Sequence, residues 1–177
     1  MRPRKSPVVS LLVTVALALS LLIAAPAQAA GQGAQVFVIP LSGAEEVPAR
    51  DTPASGLAIF VLSRDEDSLR FTLLAFNIEN VVFSHIHTAP EGVNGPVVAF
   101  LLHDQPAGGG PHTGVLSTGL ITEDDLVGPF AGMDFSVLVD AITSENAYVN
   151  VHTNDGVAPT NTGPGDFPGG ELRGQFD

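Results

Sequence analysis

The chain has no cysteine and no tryptophan, and Lys5 is the only lysine among its 177 residues. Without cysteine there is no thiolate nucleophile, no iron–sulfur cluster, no thiolate zinc site and no disulfide. Positive charge is scarce: seven Lys and Arg stand against nineteen Asp and Glu. Three of those seven, Arg2, Arg4 and Lys5, fall in the first five positions, and every acid lies after residue 44. The motifs of common enzymes are also missing. There is no G-x-S-x-G, no P-loop, no dinucleotide fingerprint and no H-E-x-x-H, so no catalytic residue is assigned.

The uneven charge has a simple source. The basic start is followed by Val8–Ala25, whose only polar members are Ser10, Thr14 and Ser20, and then by Pro26 and Ala27-Gln28-Ala29. A basic start, an apolar run and a small-x-small site make a secretory signal peptide over residues 1–29. The run of eighteen residues is also just long enough for an uncleaved anchor, and the A-x-A site favours cleavage. No paired arginine precedes the run, so the expected route is Sec-type export to the cell envelope or the medium, with no stable membrane span after cleavage. Residues 30–177 then hold four arginines, no lysine and all nineteen acids, a formal net charge of −15. Such a chain is repelled by phosphate backbones and anionic lipid. Nucleic acid is excluded as a partner, and cations or basic protein surfaces are favoured.

Nineteen glycines and fourteen prolines separate short apolar runs, the pattern of many strands joined by turns. Strands are expected at 35–42, 56–63, 68–76, 81–88, 96–102, 114–121, 148–153 and 171–176. Pro40 points to an edge or a bulge in the first. His103–Thr113 and Asn154–Gly170 read as loops. Helical signals occur at Thr122–Leu126, with a cap followed by acids, and at Phe135, Leu138, Val139 and Ile142, with Asp134 as a cap. About eight strands and one short helix predict a single all-β domain over 30–177, an antiparallel β-sandwich or barrel with Greek-key-like connections.

Alternation along the strands selects a candidate site. Side chains change face at every residue. His85 and His87 therefore share a face, as do Tyr148, Asn150 and His152, and as do Glu171, Arg173 and Gln175. If those strands are neighbours, His85, His87, His152, Asn150, Glu171 and Arg173 form one polar patch. Three imidazoles without thiolate suit copper or zinc, and Glu171 is placed to be a ligand or to orient a histidine. His103 and His112 are further candidates on a loop. The competing reading is a hydrogen-bonded structural cluster centred on a Glu171–Arg173 pair, because a guanidinium beside the patch repels a cation unless it is neutralised. Calcium at Asn154–Asp166 is disfavoured by the absence of D-x-D-x-D-G spacing.

Three segments carry a family resemblance. Phe37–Pro48 (FVIPLSGAEEVP) resembles the opening LSGAxEVP of the CHRD domain, first described as a repeat in chordin and found singly in exported microbial proteins. His85–Pro90 (HIHTAP) with Gly92–Val98 (GVNGPVV) is similar to that family's HIH…G…GPVV. Tyr148–Thr153 (YVNVHT) with Phe167–Gln175 (FPGGELRGQ) is similar to its closing YVNVHT…PxGEIRGQ. The likeness spans about residues 35–176. Ala89 stands where glycine is common, and the loop from Thr153 to Phe167 is longer than usual. The resemblance implies an extracytoplasmic all-β domain with no generally established catalytic activity, its motif histidines mapping to His85, His87 and His152. Copper/zinc superoxide dismutase also pairs a β-sandwich with an H-x-H, but its further ligands and disulfide are missing here. The expectation is a non-enzymatic binding or structural module whose partner is a protein or an extracellular matrix component, with copper or zinc binding at His85, His87 and His152 as the alternative.

Overall fold

A computed structural model describes residues 34–177; the expected signal segment lies outside them. Eight strands follow the apolar runs: β1 (Gln35–Ser42), β2 (Ser55–Leu62), β3 (Leu69–Glu79), β4 (Val81–Thr88), β5 (Val97–Leu102), β6 (Pro111–Ile121), β7 (Ala147–Thr153) and β8 (Leu172–Gln175). They form one antiparallel sheet in the order β5-β4-β7-β8-β1-β2-β3-β6. Its end strands, β5 and β6, lie against each other, which curls the sheet into a nearly closed barrel. The non-consecutive pairs β4–β7, β8–β1 and β3–β6 give it Greek-key-like connections.

Apolar residues at every second position turn inward. Ile39, Leu41, Phe60, Leu62, Leu69, Phe71, Leu73, Ile86, Val149, Val151 and Leu172 are buried in one core, and Phe176 packs against Phe60 with ring centroids 4.9 Å apart. Each such side chain contributes roughly 1.5–3 kcal/mol of burial. One helix, α1 (Ser136–Thr143), adds Leu138, Val139 and Ile142 to the core, with Phe135 just before it. The helical spacing expected there holds, and Asp134 Oδ1 accepts the Ser136 N–H at 2.9 Å. The Thr122 signal yields only a single 3₁₀ turn, Glu123–Asp125, closed by a capping box between Thr122 and Asp125. Its chain then pairs Leu126 with Ala99 as an isolated bridge, which ends any helical continuation.

Two other expectations shift. β6 starts three residues earlier than the alternation suggests, because β3 runs on through a bulge and pairs Ile78 with His112 and Glu79 with Pro111. Pro40 does not mark a sheet edge, since β1 lies between β8 and β2. The ladder between β1 and β8 is instead confined to the pair Ser42 and Arg173, as suits a residue with no N–H to give. There the two backbones run close. A methyl group on Gly174 would meet the Pro40 carbonyl and the side chains of Ile39 and Leu41.

The outer wall is uneven. On β1 and β6 it is bare, with Val36, Val38, Val115 and Leu120 exposed. On β7 it is covered, so six of its seven residues are buried irrespective of face. Among the described residues no helix is long and apolar enough to cross a membrane.

The close approach of β8 to β1 gives a direct test. Gly174→Ala is expected to lower stability by about 1–3 kcal/mol, the usual cost of overpacking, because the obstacle is partly backbone. Urea denaturation measures this, and an unchanged midpoint would show that the two strands separate freely.

Candidate functional site: three imidazoles under a loop cover

The polar faces of β4, β7 and β8 do meet. β4 pairs with β7, setting Phe83 opposite His152, His85 opposite Asn150 and His87 opposite Tyr148. β7 pairs with β8, setting Asn150 opposite Arg173 and Tyr148 opposite Gln175. Glu171, just before β8, extends the pairing with an N–H donated to Val151 O at 2.8 Å. The adjacency expected from alternation is therefore realised on the outside of the barrel.

Three loops then roof this face. The loop after β4 is held by Arg173, which donates to Asn94 Oδ1, Pro90 O and Val93 O, and by Gln175 Nε2, which donates to Ala89 O. The loop after β1 is tied down by Arg50, whose Nε donates to Gly170 O, and by Thr52, which donates to Glu171 Oε1. The loop after β7 returns through Phe167, whose N–H donates to Thr153 Oγ1. The result is a polar outer face with the burial of a core: Asn150 is 3 %, Arg173 1 % and Glu171 0 % exposed.

Within it the histidines converge. One nitrogen from each of His85, His87 and His152 lies within 4.8 Å of the others. His152 Nδ1 lies 2.8 Å from Pro168 O, and His87 Nδ1 lies 2.9 Å from Gly95 O. A carbonyl only accepts, so both Nδ1 atoms carry the hydrogen and both Nε2 atoms keep a lone pair. His85 Nδ1 sits 3.2 Å from His152 Nε2 and donates to it. His87 Nε2 is buried with no hydrogen-bond partner. Aromatic rings enclose the group: Phe100 meets the His85 ring edge-on at 4.8 Å, and Tyr148 stacks on His87 at 4.7 Å.

Burial is the main force keeping these rings neutral. It drives His85 down to about 3, aided by the positive fields of His152, His87 and His103. It drives His152 down to about 4 against the opposing Pro168 hydrogen bond, with His87 adding to the drop. His87 is lowered too, by burial first, against the Gly95 bond and with help from Arg173. At neutral pH the centre offers neutral imidazoles, the form that binds metal.

Other candidates are placed differently. Glu171 neither reaches the imidazoles nor pairs with Arg173. Its carboxylate accepts from Thr52, from Thr153 Oγ1 at 2.6 Å and from the Gly165 N–H at 2.9 Å, which makes it the pin of two loops. Arg173 lies 3.5 Å over the Tyr148 ring, and its hydrogen bonds go to neutral oxygens. His103 is exposed and stacks on Phe100 at 4.7 Å, one ring removed from the centre. His112 sits on β6 opposite Ile78, away from it. The residue that alternation missed is Glu46. It is buried, and its Oε1 accepts from Asn150 Nδ2 at 2.6 Å. Burial pushes its carboxyl up to about 7, against the pull of Arg173, the Val47 N–H and Arg50. No strand pattern reaches a loop residue; the signal is the glutamate of the opening motif that Ala44-Glu45-Glu46-Val47-Pro48 resembles.

Residues 37–176 match the family model of the CHRD domain. The chain belongs to the CHRD domain family. No curated protein and no solved structure matches it. In this CHRD domain the three motif segments are parts of one constellation: the first supplies Glu46, the second His85, His87 and the Gly95 carbonyl, the third Asn150, His152, Pro168 and Arg173.

The buried groups set opposite pH trends. Histidines with depressed pKa values contribute stability that is present above about 6.5 and lost as pH falls toward 4 and 3. Glu46, with a raised pKa, contributes stability that is present below 4.5 and lost as pH rises through about 7. With more than one imidazole against one carboxyl, metal-free protein is expected to gain stability from pH 4.5 to 6.5. Glu46→Gln removes the opposing proton and should steepen that rise by about 1.4 kcal/mol per pH unit. Urea denaturation at stepped pH measures both slopes; equal slopes would mean that Glu46 titrates as an ordinary surface carboxyl.

Proposed function

We propose that this CHRD domain is an exported, non-enzymatic metal-binding module that holds one copper or zinc ion on His85, His87 and His152. The observation that carries the reading is the pair of Nδ1–H bonds to Pro168 O and Gly95 O. They hold two Nε2 lone pairs ready beside the third imidazole, as outer hydrogen bonds do in metal sites. The separation of 3.2 Å between His85 Nδ1 and His152 Nε2 supports it further. Two nitrogens each about 2.0–2.1 Å from one tetrahedral ion stand about 3.3–3.4 Å apart. In the metal-free state a proton bridges this gap, and an ion would replace it.

An all-imidazole donor set favours copper or zinc over calcium or magnesium, which take oxygen. The guanidinium of Arg173 opposes a cation at His87, whose ring already feels its field, and this opposition is partly offset. The guanidinium is stacked on Tyr148 and shares the buried face with Glu46, whose carboxyl feels its field. Export is supported by the signal-like start, and the acidic chain would raise the local concentration of cations. Roles consistent with this are buffering or carriage of an ion outside the cytoplasm. A protein or matrix partner would engage the exposed rim of the roofing loops, because the polar patch beneath them is buried.

The test is elemental analysis of protein purified without a histidine tag, loaded with copper(II) or zinc(II) and desalted. About one ion per chain is expected, and none in His87→Gln, whose circular dichroism reports folding. Loss of metal from neither, or retention by neither, would remove the metal reading and direct the search to partners.

Proton competition gives a second expectation. Imidazoles lowered to about 3 and 4 should let bound metal stabilise the fold well below pH 6.5. Metal held at about 100 times the Kd measured at pH 7.5 should add about 2.7 kcal/mol there and keep most of that gain at pH 5.5. A gain that disappears between pH 7 and 6 would mean ordinary, solvent-exposed histidines.

A further inference from the structure

Asn150 adjoins the three histidines on the outer face of the sheet. It lies directly opposite His85 and shares its strand and face with His152, two residues on. His87 is its diagonal neighbour across the β4–β7 ladder. Same-face neighbours stand about 6.6 Å apart along a strand and about 5 Å across. The line from His152 to His87 therefore passes between His85 and Asn150.

The Asn150 amide faces Glu46. Its Nδ2 donates to Glu46 Oε1, leaving Oδ1 to face away from the carboxyl. That Oδ1 is buried and has no hydrogen-bond partner, and the same is true of His87 Nε2. Both are acceptors, so neither can satisfy the other. Two orphan acceptors on adjoining positions of one buried face require an explanation. A bare cation held by the imidazoles alone, out of bonding reach of the amide, would satisfy the imidazole and leave the amide oxygen unmatched. A cation carrying a hydrogen-bearing ligand satisfies both.

We infer that an ion on His85, His87 and His152 carries a fourth ligand drawn from solvent, a water or hydroxide, whose hydrogen is donated to Asn150 Oδ1, and that Glu46 holds the amide in this sense. The inference rests on the three-histidine reading. It makes Asn150 and Glu46 positioning residues, and it gives the fourth position a preference. Oxygen ligands with a hydrogen to donate are favoured, and anions with none, such as azide, meet the lone pairs of Oδ1. His152 is the one half-buried residue of the three, and access is assigned to its side.

The experiment titrates azide into copper(II)-loaded protein at pH 6, followed by the azide-to-copper charge-transfer absorption. At that pH Glu46, with its pKa near 7, is largely protonated, so replacing it changes little charge. Asn150→Ala is expected to retain copper and to bind azide about fivefold more tightly than wild type, the value of one lost hydrogen bond to the competing water. Glu46→Leu, which frees the amide to rotate, should move azide affinity in the same direction by less. Should Asn150→Ala fail to fold, Glu46→Leu carries the test alone. Equal azide affinities in folded, copper-retaining wild type and variant would overturn the inference and leave the three-histidine site standing. So would copper retention with no azide band in any of them, because the fourth position would then be closed. Wild type that retains no copper would take away both.

Discussion

The pairing of β7 between β4 and β8 is the constraint on which the rest of the molecule depends. Its inner residues, Ala147, Val149 and Val151, belong to the barrel core. Its outer residues, Tyr148, Asn150 and His152, receive the imidazoles of β4 on one side and Arg173 and Gln175 of β8 on the other. Because side-chain period in a strand is two, a slip of one residue would exchange these sets. Three valine and alanine contacts would go to the polar face and three hydrogen-bonding groups to the core. One register therefore fixes both the barrel and the site.

A polar face can be buried only if its groups find partners. Here the partners come from loops, and the loops are ordered by the groups they cover. Arg173 is the clearest case. A buried guanidinium without a carboxylate at contact distance would be costly, yet it binds two backbone carbonyls and two side-chain amide oxygens and lies on the Tyr148 ring. Those same bonds hold the loop that presents the Gly95 carbonyl to His87. Glu171 does the equivalent for the loops carrying Thr52 and Gly165. Arginine and glutamate, expected to pair with each other, pin separate loops instead, and neither hydrogen-bonds a histidine, although the guanidinium's field reaches His87.

Much of this was legible in the sequence, and the limits are physical. Alternation assigned His85, His87, Asn150, His152, Glu171 and Arg173 to outward faces, because period two is a local property of the backbone. It said nothing of what would cover those faces, and the patch is in fact interior. Glu46 was invisible to it, since a loop has no period, and only a motif letter marked it. The helical signals divided on packing. Phe135, Leu138, Val139 and Ile142 had an apolar face to bury and made a helix, whereas Thr122–Leu126 had a cap and acids but only Leu126 to bury, and closed as one turn. Pro40 reads as an edge or bulge signal because propensity sees the missing N–H and not the neighbour; a four-residue β8 supplies a partner that asks little of it.

The electrostatics of the domain work on two scales. Four arginines against nineteen acids after residue 29 give a diffuse negative field that attracts any cation and selects none, and that salt screens within about 10 Å. The centre itself is different in kind. It contains three neutral nitrogens, an amide oxygen and a carboxyl pushed toward neutrality, all out of water. Such a set has no net charge with which to compensate a hard cation such as calcium, which requires oxygen anions. What it offers is directed lone pairs at fixed spacing, and these discriminate by ligand softness and geometry. The burial that lowers the imidazole pKa values also keeps their lone pairs open to an ion rather than a proton across the mildly acidic range. An acidic exterior thus surrounds an interior lined by neutral imidazoles with one buried guanidinium beside them, and the loop cover that takes these rings out of water is held in place by Arg173, Arg50 and Glu171 and not by the rings alone.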